Sequence, residues 1–287
     1  MSVQAAAERT LRWGTVATVA RTDLRQLWQS PDFWGPMVAL GALFFVVVPS
    51  LLLSIITQVG DIDAVQRVSQ ALEMLPQRAQ RTIEESAGTS EAGRTSYALA
   101  VYLFAPLAVV VPLTISTAVG AATIVGERER GTGEFLAHSP ASVREIYMGK
   151  LLASLLPGYL TTIVGFGIYS LIVNLIVGPE VGGWFFPTTD WWLLMFWVVP
   201  PFLAITLSLV LRLSARVRST AAAQQASGLV SLPLILIAYS QATGALFGAG
   251  GAAVFVGAAA WVFALVGLSR GMRAVSRARL LGVADEQ

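Results

Sequence analysis

The chain has 287 residues, 55% hydrophobic and 13% charged, with a formal net charge of +2 and a mean hydropathy of +0.68. Soluble domains carry roughly 25% charged residues, so this balance, with apolar residues gathered in long runs, excludes an ordinary soluble domain and reads as a membrane protein of several spans. With no cysteine, disulfide frameworks and thiolate chemistry are excluded, and the single histidine, His138, builds no metal cluster alone.

Residues 1–33 alternate apolar and arginine-bearing positions. Leu11, Val16, Val19, Leu24, Leu27 and Trp28 are placed to face lipid, with the arginines toward headgroups, until Pro31 stops the run. That pattern predicts an amphipathic interfacial helix; the alternative is a solvated tail. The first apolar run is too long for a signal-peptide core, so it is expected to stay as a helix.

A spanning helix needs about 20 mostly apolar residues. Six runs meet or approach this: 34–58, 97–125, 146–177, 190–211, the short 227–243, and 252–268. The last two are joined by GALFGAGG and form either a full hairpin or a partly re-entrant pair. Arginines and the one lysine gather before the first span, between the second and third, between the fourth and fifth, and in the tail 270–287. The positive-inside rule then makes both termini cytoplasmic, in the plasma (inner) membrane of a multi-pass protein.

The loop 61–96 is net acidic and is expected outside. Within it Ile62, Val65, Val68, Leu72, Leu75, Ala79 and Ile83 recur at helical spacing, interrupted at Pro76. This reads as a helical cap on the outer span ends, or as a lid over an exit path. The loop after span 3 carries Trp184, Trp191 and Trp192 as an aromatic belt.

The connection between spans 2 and 3 is unlike its surroundings: GERERGTGEFLAHSPASVREIYMGKLLAS, starting at Gly126. Gly126, Gly131 and Gly133 permit a sharp exit from the second span. Thr132 can cap a short helix that ends before Pro140. Ser139 or Ser142 can cap the next helix, and Glu145, three residues beyond Ser142, completes a capping box. Phe135 and Leu136 sit among charges, as in a docking site. By charge pattern alone, a solvated loop fits equally well.

From Gly126 to Lys150 this connection resembles the hallmark segment of ABC-2-type exporter permeases, and the order of elements along the chain is similar to theirs. It departs at Gly133, where many relatives carry a large apolar residue. The resemblance implies an all-α integral membrane protein. Its six transmembrane helices follow an N-terminal interfacial helix (1–33), within a domain 34–287. A cytoplasmic coupling helix lies in 126–145. It implies that Glu127, Arg128, Glu129, Arg130, Gly131, Thr132 and Glu134 face or support a separate P-loop ATPase, with Phe135 and Leu136 as apolar anchors. It also implies pairing with a second copy or a related permease. ATP and magnesium would belong to the ATPase, and no cofactor or metal to this chain.

Other chemistries lack their residues. A Walker A loop needs a lysine followed by a hydroxyl, and the one lysine, Lys150, is followed by leucine. Intramembrane proteases need a serine–histidine pair or clustered histidines within the bundle. Ion-coupled transporters normally bury charges at mid-depth, and the spans offer mainly hydroxyls and Asn174. Asn174 either bonds a neighbouring helix or lines a substrate path. Pro106, Pro112, Pro157 and Gly158 are candidate hinges. No catalytic residue is expected, nor a nucleic-acid partner; membrane lipid surrounds the bundle. The expected function is outward transport driven by the partner's ATP hydrolysis. The alternatives are a non-transporting subunit that couples an ATPase to an external protein, and a stand-alone scaffold or channel.

Overall fold

The computed structural model describes residues 11–59, 75, 77–88, 90–129, 139–214, 235, 236, 240 and 251–274. Every regular element among them is helical. Helix α1 covers Trp13–Trp28, α2 Pro31–Gln58, α3 Gln77–Ser86, α4 Glu91–Ala98, α5 Leu107–Glu129, α6 Val143–Ile176, α7 Thr189–Leu213 and α8 Ala252–Ala274. Five stretches are long and apolar enough to cross a membrane: α2, Glu91–Thr123 (α4 running into α5), α6, α7 and Ala253–Arg270 within α8. They match expected spans 1, 2, 3, 4 and 6. Apart from residues 235, 236 and 240, the expected fifth span at 227–243 lies outside the described residues, as do 130–138, 275–287 and most of 61–76.

The longest helix, α6, has 34 residues. At 1.5 Å per residue it reaches roughly 50 Å, well beyond a hydrocarbon core of about 30 Å, long enough to tilt or to project from the bilayer. The Glu91–Thr123 stretch is the most buried of the five spans and forms the centre. Leu160, Val164, Ile168, Leu171 and Leu175 form an exposed stripe along α6. Its spacing of three and four is one face of a helix, and exposure is the favourable state for such side chains in lipid.

At the Ile176 end the second span breaks. The helix widens to a π-turn over Leu99–Leu103, turns through 104–106, and restarts as α5. Phe104 N bonds Leu99 O at 3.0 Å and Ala105 N bonds Tyr102 O at 3.2 Å, so neither serves its usual partner four residues back. The carbonyls of Ala100 and Val101 are thereby freed. Tyr169 Oη donates to Ala100 O at 2.7 Å, and Trp191 Nε1 donates to Val101 O at 2.9 Å. Around them Phe166 stacks on Trp191 at 5.7 Å and Tyr169 meets Phe186 edge-on at 5.2 Å. Helix α3 closes this end, burying Ala79 and Ile83 from the expected stripe.

Candidate functional site

The site is built where the chain leaves α5 and re-enters α6. Helix α6 begins with the capping box anticipated from sequence. Ser142 Oγ accepts from Glu145 N at 3.3 Å, and Glu145 Oε2 accepts from Ser142 N at 2.8 Å. Two of the four amides left unpaired at a helix start are thereby satisfied.

Glu145 also receives Arg12, just ahead of α1. Arg12 donates to it through the backbone N at 3.0 Å, Nε at 2.9 Å and Nη2 at 3.0 Å, and Nη2 also reaches Pro140 O at 2.9 Å. A planar guanidinium can serve both carboxylate oxygens at once. The Arg12 side chain is 58% exposed and that of Glu145 only 2%, so water screens one partner and not the other. The hydrogen bond to Glu145, then its negative charge, push the Arg12 pKa above its ordinary value. Arg12 thus fastens the descending arm of the connection, at Pro140 and Glu145, to α1.

Five residues on, a second pair crosses the same helices. Lys150 is fully buried, its Nζ donating to Thr123 O on α5 at 2.7 Å and lying 3.5 Å from Asp23 Oδ2 on α1. Thr123 Oγ1 in turn lies 3.5 Å from Ser154 Oγ on α6. The neighbour Gly149 explains how α1 comes so close: a Cβ there would stand 2.7 Å from Val19 Cβ. Val16 is fully buried on this same face. The expected lipid-facing placement of Val16 and Val19 therefore differs from the structure, in which both turn toward protein because Gly149 leaves them room. Tyr147 is anchored on α7, its Oη 2.7 Å from Ser208 Oγ.

Three helices therefore meet at the base of the connection, joined by ion pairs, a buried ammonium and a glycine contact. The arrangement ties the 139–145 arm to α1 through Arg12, and ties α6 to α1 and α5 through Lys150.

Of the residues singled out from the sequence, Glu127, Arg128 and Glu129 fall in the last turn of α5. Arg130, Gly131, Thr132, Glu134, Phe135 and Leu136 lie outside the described residues. Pro106 sits at the break in the second span, and Pro112 lies buried within α5. Gly158 meets α5 so closely that a Cβ would run into Ser116 Oγ and the Pro112 carbonyl. Pro157 is half-buried beside it, within a continuous α6. Asn174 stands at the opposite end of α6. Its amide nitrogen donates to the Ser170 and Phe186 carbonyls, and its Oδ1 accepts from the amides of Phe185 and Phe186. It holds the loop before α7 against α6.

Sequence reasoning missed Asp23 and the depth of Lys150, which it placed among surface charges. An aspartate in an otherwise arginine-bearing helix was the one signal available.

A family model described as ABC-2 family transporter protein matches residues 17–252. No curated protein matches the chain.

Proposed function

The chain belongs to the ABC-2 transporter family, and from that premise we propose that it is the permease subunit of an ATP-driven exporter. A separate ABC ATPase would dock on the 126–145 connection. Glu127, Arg128, Glu129, Arg130, Gly131, Thr132 and Glu134 would form the charged rim of that interface, and Phe135 and Leu136 its apolar centre. ATP and magnesium act in the ATPase. Two permeases, identical or related, pair in the plasma membrane with both termini cytoplasmic, and their rearrangement passes the substrate outward. Pro106, Pro112, Pro157 and Gly158 would be the flexing points, and Asn174 a polar position along the path.

The observation that carries this reading is the clamp at the base of the connection, where Arg12, Glu145, Asp23 and Lys150 join the segment to three helices. A solvated loop has no use for such anchorage, whereas a lever needs it. The test is co-purification of the tagged chain from its native membrane beside a Glu134→Arg/Phe135→Asp variant. The wild type is expected to retain a P-loop ATPase, and the variant to lose it while its melting temperature stays unchanged. Absence of an ATPase from the wild type, even after crosslinking, would overturn the reading.

A further inference from the structure

A groove of about 640 Å³ opens between α1, α2 and α6. Its rim carries Arg21 and Arg25, one helical turn apart on α1, and neither makes an ion pair among the described residues. Apart from Thr161 the rest of the wall is apolar, with Leu24 and Leu27 from α1, Met37 and Val38 from α2, and Leu156 and Leu160 from α6. Trp28 and Trp34 stack at its side with ring centroids 6.2 Å apart.

We propose that this groove binds one anionic glycerophospholipid of the membrane leaflet on the α1 side, its phosphate on Arg21 and Arg25 and an acyl chain along Val38 and Leu160. Several features select this occupant. Two guanidinium groups with no carboxylate partner among the described residues fit a phosphate, to which arginine donates through a planar fork. The groove runs from these cations onto Val38 and Leu160, which are exposed, and Leu160 begins the lipid-facing stripe of α6. Charge at one end and open hydrocarbon at the other match a lipid and no soluble anion. Stacked tryptophans mark the level at which aromatic rings settle between headgroups and chains. The inference goes beyond the transport reading and stands whether or not an ATPase docks.

The test uses the full chain in non-denaturing detergent, with native mass spectrometry counting retained lipid. Phosphatidylglycerol and phosphatidylcholine of equal chain length are the probes. One phosphatidylglycerol is expected with a roughly 30-fold preference, since each basic residue near an anionic headgroup contributes about fivefold. Arg21→Gln/Arg25→Gln should bring both lipids to the same level, and Arg21→Lys/Arg25→Lys should keep most of the preference. Leu160→Trp, which fills the groove and spares the charges, should also lower retention. Equal binding of the two lipids by the wild type, or an undiminished preference in the glutamine variant, overturns the proposal. So does complete displacement by millimolar inorganic phosphate, which would make this a free-anion site. Should the glutamine variant fail to fold, the wild type decides. Phosphatidylglycerol with a photoreactive acyl chain must label 34–38 and 156–161, and label elsewhere sinks the idea. Crosslinking between copies through Trp28→Cys would assign the groove to a subunit interface instead.

Discussion

Removing the Lys150 ammonium would leave Asp23 buried with one counter-charge fewer. Truncating one partner of a buried pair typically costs about 3–5 kcal/mol, while replacing both is far milder. Lys150→Met is therefore expected to lower the melting temperature in detergent sharply, and Asp23→Asn/Lys150→Met to recover most of the loss. A double variant as damaged as the single would mean that the Thr123 carbonyl contact, not the ion pair, matters. Ser142→Ala removes the hydroxyl half of the capping box and should cost about 1 kcal/mol, read from the same melting curves. These two cases also separate what sequence can and cannot show. The Ser142–Glu145 cap was legible because both partners sit within one turn. Lys150 was read as a loop charge because its partners, Asp23 and Thr123, lie on helices distant in the chain, and hydropathy averages over neighbours only.

At the level of helices, α1 rests against α6 because Gly149 has no side chain. Gly149→Ala places a methyl 2.7 Å from Val19 Cβ, so α1 must shift. The expected result is destabilisation that Val19→Ala partly reverses. Lack of rescue would show that the α1 contact does not depend on this gap. The break in the second span gives a parallel case. Pro106, a candidate hinge by sequence because proline cannot donate to the ladder, sits at that break, whereas Pro112 lies within a continuous α5. The acceptors that the break exposes were not readable, nor were Tyr169 and Trp191 as their donors, because those arrive from other helices. Tyr169→Phe and Trp191→Phe should each cost about 1–3 kcal/mol, the penalty for a buried group left without its partner. Both should also loosen the segment 99–106, measurable by hydrogen exchange.

Across the whole molecule, the class and five spans follow from composition and run length, because a bilayer imposes both on any sequence that crosses it. Residues 130–138 of the connection lie outside the described residues, so the proposed ATPase contact is argued from the family and from the anchored 139–145 arm. That division yields a separable prediction. Arg12→Ala removes the guanidinium's bonds to Glu145 and Pro140, the side-chain part of the tie to α1, without touching Glu127–Leu136. The purified complex should therefore keep its ATPase but move less substrate per ATP hydrolysed, measured as efflux and phosphate release in proteoliposomes. Loss of ATPase binding would instead place Arg12 in the docking surface itself.

Lys150 has one more consequence, which belongs to chemistry rather than to mechanics. It is the chain's single lysine, and its amine is sealed beneath α1. An amine-acylating reagent can reach that nitrogen only while α1 stands away from α6. The rate at which this one ε-amine is modified therefore reports how often the junction opens. It should rise in Gly149→Ala and in Asp23→Asn, and change with nucleotide once an ATPase is bound. The protein thus carries its own probe of whether the lever moves, at a position where no label need be introduced.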